Sequence, residues 1–135
     1  MSTTTGYTLS ATTVLPFADA VERVRAELQE EGFGVLCDVD VQATLREKLG
    51  VEQEPYTILG ACNPPLAHQA LSAEPQLGTL LPCNVVVYER PDGGTQVSAV
   101  DPVAMLGLVG NSELDPVARE IRAKVERAVA KVWEA

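Results

Sequence analysis

The chain is poor in aromatic and basic residues and has no long apolar run, and each shortage removes a class of function. Aromatic residues make up 4% of the sequence, and 10 Lys plus Arg face 19 Asp plus Glu, a formal net charge of −9 at pH 7. Affinity for nucleic acid comes mainly from neutralising phosphates with basic side chains, and single strands are held by aromatic stacking, so no nucleic-acid partner is expected. An acidic balance of this size serves solubility and repels anionic partners. The longest apolar stretch, Val103–Val109, falls far short of the roughly 18 residues that span a bilayer, so no membrane partner is expected either. Met1–Thr5 carries neither a basic patch nor an apolar segment, which leaves no export signal and makes a cytoplasmic location the expectation. In that setting three cysteines, an odd count, read as reduced thiols and not as a disulfide framework.

What is present is ordinary for a globular protein: 135 residues, 46% hydrophobic and 21% charged. That length fits a single domain over residues 1–135, with a structured core from residue 5 onward and residues 1–4 outside it. Thr5–Thr12 alternates and reads as a strand. Pro16 opens a helix to about Glu31, whose apolar positions Phe17, Val21, Val24 and Leu28 form one stripe. Gly32 ends it and Phe33–Cys37 follows as a strand, with Cys37 expected in the core. Asp40 caps a short helix closed by Gly50, and Tyr56–Cys62 is the next strand. Asn63-Pro64-Pro65 starts a second short helix, because Asn is a good cap and Pro is pre-set for the first turn. Asn84–Glu89, the turn Arg90–Gly94 and Thr95–Val100 predict a hairpin. A long C-terminal helix begins near Ser112 or Asp115, with Leu114, Val117, Ile121, Val125, Ala128 and Val132 as its buried stripe. The segment Asp101–Gly107 is expected as an exposed apolar loop begun by a strand-ending Asp101. The expected fold class is α+β, a single antiparallel twisted sheet of about five strands with helices on one face.

The residues that could carry chemistry gather around two Cys-Asn dipeptides. Cys62-Asn63 closes one strand and Cys83-Asn84 opens the next, so antiparallel pairing would make the two thiols neighbours. Cys62 also precedes a helix start, a position that favours a thiolate. The plainer alternative is that both cysteines act as small buried hydrophobes and both asparagines as caps and turn formers. His68 and Met105 are candidates to join the sulfurs around a soft metal, and Asp101 with Met105 could border a pocket. Asp38 and Asp40 could be paired carboxylates, but Asp40 is already used as a cap, and no catalytic residue is assigned. Phosphate-binding, dinucleotide-binding, nucleophile-elbow and zinc-protease motifs are all missing, and no cofactor is named by any spacing.

Over Ile58–Ala67, Leu80–Glu89 and Asp101–Met105 the chain resembles the prokaryotic family called domain of unknown function 302. The three blocks occur in order and the resemblance spans nearly the whole chain. It implies a fold similar to half of the TATA-binding protein, β-α-β4-α with two short inserted helices, and a homodimer. It implies no activity. The functional expectation is therefore a homodimeric small-ligand-binding domain with a pocket near Cys62, Asn63, Cys83, Asn84, Asp101 and Met105. Two alternatives stay open: a thiol-based redox or soft-metal or haem site on Cys62 and Cys83, and a purely structural dimerisation module.

Overall fold

Strand-length runs of alternating residues, broken at Gly, Pro and Asp, build the sheet of this protein, for which a computed structural model describes residues 2–133, with side chains from residue 5 onward. The strands are β1 (Ser2–Thr4), β2 (Thr8–Thr13), β3 (Gly34–Asp40), β4 (Tyr56–Cys62), β5 (Cys83–Glu89) and β6 (Thr95–Val100). They form one six-stranded sheet in the order β1-β2-β6-β5-β4-β3, antiparallel at every pairing. The added strand lies where no structured core was expected: Ser2–Thr4 pairs with Leu9–Ala11 of β2, while Met1 lies outside the described residues.

The alternation sorts the sheet into two faces, because residues paired across antiparallel strands point the same way and successive residues point apart. Leu9, Ala11, Leu59, Ala61, Val85, Val87, Val97 and Ala99 are buried on the inner face. Two helices cover that face: α1 (Phe17–Glu30) and α5 (Asp115–Trp133), which pack on each other as well as on the strands. The helix stripe of α5 is buried at Val117, Ile121, Val125, Ala128 and Val132, with Leu114 just before it, as the 3.6-residue period predicts. On α1 the stripe is rotated slightly, so Ala20, Val24 and Leu28 are buried while Phe17 and Val21 are half-buried.

Shorter helices close the rim. The helix α2 (Val41–Leu49) is capped by Asp40, whose side chain accepts from the Ala43 N–H, and ends at Gly50 in the left-handed conformation. It buries no residue and lies at the β3 edge. The helix α3 (Pro64–Ala73) starts at the Asn63 cap. Asp101–Gly107 departs from expectation: in place of a loop it forms a helix, α4 (Pro102–Gly107), with Pro102 and Leu106 buried. The reason lies in its first residues. Asp101 accepts from the Val103 N–H at 2.9 Å and Pro102 supplies a fixed helical φ, the same start used by Asn63-Pro64.

Cys37 is a second correction. It is exposed, since β3 is the edge strand and bears almost no buried residue. Its apolar neighbours in sequence do not place it in a core, because β3 pairs with β4 alone and Cys37 falls in the outward row of Gly60. Among the described residues no helix is long and apolar enough to cross a membrane.

Candidate functional site

The register between β4 and β5 decides which of the singled-out residues meet. Ala61 pairs with Cys83 and Gly60 with Asn84, so the last residue of β4, Cys62, stands beside the first of β5. Cys62 and Cys83 then line one cavity between the inner face and the helices. Its walls come from Phe33, Ala61, Asn63, Ala67 and Ala70 of α3, Leu77, Leu81 and Pro82 of the α3–β5 connection, Leu106 of α4 and Ile121 of α5. The cavity measures about 30 Å³ and is apolar apart from the two sulfurs and Asn63.

Burial pushes the Cys83 thiol up to about 11, with the nearby Cys62 adding to the effect. A protonated thiol is a poor nucleophile and a poor ligand at neutral pH, so Cys83 behaves as a small hydrophobe in this setting. Asn63 is held at both ends of its amide. Its Oδ1 accepts from the Leu66 N–H at 3.3 Å, capping α3, and its Nδ2 donates to the Glu31 carbonyl at 3.4 Å, tying α3 to the end of α1. The position opposite is Gly32 at φ 87°, where an added Cβ would lie 3.0 Å from Asn63 Nδ2. Glycine is needed there for both the conformation and the approach.

The remaining candidates are placed elsewhere. Asn84 is exposed on the outer face, one residue and half a turn of pleat away from Cys83. Asp101 is buried, and its two oxygens are engaged by the α4 cap and by Arg122 Nε at 3.2 Å. Met105 packs against the core from α4 without lining the cavity, and His68 is exposed on α3. Among the described residues no three His, Cys, Asp or Glu side chains come together in a way that could hold a metal ion. Asp38 and Asp40 do structural work: Asp38 pairs with Arg25 at 2.6 Å and accepts from the Thr57 hydroxyl, and Asp40 caps α2.

The outer face holds a feature not singled out in the sequence, a shallow trough of about 580 Å³. Thr8, Ser10, Asn84, Val86, Gln96, Ser98 and Val100 form its floor, and Tyr7, Tyr56 and Tyr88 rise around it. Tyr56 and Tyr88 are cross-strand partners with rings stacked 5.1 Å apart at 6°. Burial raises the Tyr56 hydroxyl pKa above its ordinary value, with Tyr88 and Tyr7 adding smaller effects. Ser10 and Ser98 face each other at 2.8 Å and Gln96 donates to Ser98 at 3.2 Å. The signal was in the sequence: the outward positions of the strands hold no charge.

A family model described as Domain of unknown function DUF302 matches residues 7–132. Among solved structures, the chain is similar to one described as the crystal structure of uncharacterized conserved protein DUF302 from Bacillus stearothermophilus, at 28% identity and a TM-score of 0.86 over 93% of this chain and 97% of that one. No curated protein matches the chain.

Proposed function

The chain belongs to the Domain of unknown function DUF302 family, and we propose a non-catalytic domain that takes a small apolar ligand in the cavity beside Cys62 and Cys83, and that is a homodimer, as the family resemblance implies. The observation that carries this reading is the lining. Among the described residues, two sulfurs and one asparagine, whose amide is already engaged, are the only polar side chains in an otherwise hydrocarbon wall, so the cavity rewards an apolar guest. The size sets the ligand. A cavity of about 30 Å³ has room for a group on the order of one or two waters, well below the roughly 300 Å³ of a drug-sized pocket. The raised Cys83 thiol supports the non-catalytic half of the reading.

Xenon is a suitable probe because dry apolar cavities take it up. Crystals under xenon pressure are expected to show one atom between Cys62, Cys83 and Leu106. Ala67→Leu, which adds volume from the half-buried face of α3, is expected to remove that atom while the variant stays folded. An empty cavity in the pressurised wild type would overturn the reading. Two sulfurs on one cavity also keep a soft-metal site as the second reading. Cu(I) binding that disappears in both Cys62→Ser and Cys83→Ser would put the metal in place of the apolar guest.

A further inference from the structure

We propose that the outer face of the sheet is the surface on which a second copy of this chain docks, its trough receiving the partner's tyrosines about a two-fold axis. The inference rests on the homodimer reading above and names its surface. The cross-strand register supplies the argument. Reading across the sheet, the outward residues are Thr12, Gln96, Tyr88 and Tyr56 in one row, then Ser10, Ser98, Val86, Ile58 and Val39 in the next. A third row runs Thr8, Val100, Asn84, Gly60 and Cys37. Every one of these positions is uncharged, in a chain whose formal net charge is −9.

Two copies of such a chain repel, so they can approach only through a region that leaves their charges far apart. The outward sides of the helices do not qualify. α1 carries Glu22, Arg23 and Glu30 and α5 carries Arg119, Glu120 and Lys124, each row mixed in sign and solvated. A partner chosen by charge would seek the charged helical sides, and an uncharged sheet face gives it nothing to recognise.

Shape and composition agree. All three tyrosines of the chain border this trough, and tyrosine is enriched where protein surfaces meet. Tyr7 is 69% exposed at the rim, a knob beside a hole on the same molecule. A two-fold axis matches knob to hole twice, which is how one surface becomes complementary to itself. Strand spacing of ~4.8 Å and rise of ~3.4 Å give the five strands from β2 to β3 a planar footprint on the order of 500 Å². Side-chain relief adds to that, which places the face at the lower end of specific interfaces, roughly 600 Å² per partner.

Sedimentation velocity of the full chain over a dilution series from about 100 to 1 μM tests the proposal, with circular dichroism as the check on folding. The wild type is expected to sediment as a dimer at the upper end. Tyr7→Asp, at an exposed position, and Ser98→Lys, at the trough centre, are each expected to raise the dissociation constant at least about 30-fold, the effect of losing one strong interface contact. Glu126→Lys on the outer side of α5 is expected to leave it unchanged. A dimer that survives both Tyr7→Asp and Ser98→Lys would overturn the choice of face and leave the homodimer standing. A wild type that is monomeric throughout would overturn both.

Discussion

Cys83 and Asn84 are neighbours in sequence and stand on opposite sides of the sheet. Cys83 looks inward to helices, hydrocarbon and a cavity of about 30 Å³, while Asn84 looks outward over a trough of about 580 Å³. The inner region is closed, apolar and tightly filled, so it selects by size. The outer region is wide, hydroxyl-rich and uncharged, so it selects by shape and by the absence of charge. A period of two puts these two environments one residue apart, and substitutions on the two faces of the same strands measure the difference.

The largest effect is expected from Leu59, whose side chain is fully buried on the inner face. Leu59→Ala removes three carbons from a filled core and is expected to lower stability by about 3 kcal/mol in urea unfolding. Its counterpart on the outer face is Ser98→Ala, expected to change stability by about 1 kcal/mol or less, because Ser10, though buried, keeps its hydrogen bond to Thr8 Oγ1 and Gln96 is only half-buried. Equal losses at the two positions would erase the distinction between the faces.

Gly60 sharpens the comparison by locating where the outer face stops being open. An added Cβ there would lie 2.5 Å from Cys37 Sγ and 2.7 Å from Pro82 Cγ. Gly60→Ala is therefore expected to destabilise by about 2 kcal/mol through overpacking, although the residue points away from the core. Cys37→Ala in the same chain is expected to recover only part of that loss, since the Pro82 contact stays. Full recovery would show that the proline yields and the sulfur alone sets the limit.

Much of the fold could be read from the sequence because the relevant signals are local. The Arg90–Gly94 turn, the stripe of α5 and the caps at Asp40 and Asn63 each occupy a few consecutive residues, and the α+β sheet with helices on one face follows from them. What could not be read depends on partners distant in sequence. The helix α4 spans six residues, fewer than two turns, so it carries no stripe to recognise. Cys37 was misplaced because edge or centre is decided by which strands pair, and nothing near residue 37 reports that. The two Cys-Asn dipeptides look alike on paper, yet Cys62-Asn63 leaves its strand for a helix cap, whereas Cys83-Asn84 stays inside one. Asn84 alone of the expected cluster was therefore sent to the other face, while Asp101 became the cap of helix α4 and Met105 a part of it.

The thiols offer a kinetic version of the same contrast. Alkylation at pH 8 is expected to modify exposed Cys37 first, then half-buried Cys62, then Cys83, which burial keeps protonated up to about 11. Cys83→Ser puts a hydroxyl without a partner into the cavity wall and is expected to cost about 1 kcal/mol, against a few tenths for Cys37→Ser. Rapid modification of Cys83 in the folded chain would mean that the closed region opens readily, and it would count against selection by size.

The smallest effect tests what holds the closed side at its rim. Glu31 accepts from Arg127 of α5 at 2.8 Å, and its carbonyl takes the Asn63 amide, so one residue links α1, α3 and α5 beside the cavity. No ion pair lies among the residues bordering the trough. The hydrogen bond from Arg127 holds the Glu31 carboxyl below its ordinary value of 4.5; burial, next in size, opposes it, and the charges of Arg127, Lys124 and Lys131 add to the lowering. A carboxylate with a lowered folded-state pKa stabilises the fold at pH values above 4.5 and loses that contribution as pH falls through the folded value. The melting-temperature gap between the wild type and Glu31→Gln is thus expected to be constant from pH 7 to about 5 and to close on further acidification. The Ser98→Ala gap, on the face without such a clasp, is expected to stay flat across the same range. A Glu31→Gln gap that ignores pH would place the Arg127 contact outside the energetics of the closed side.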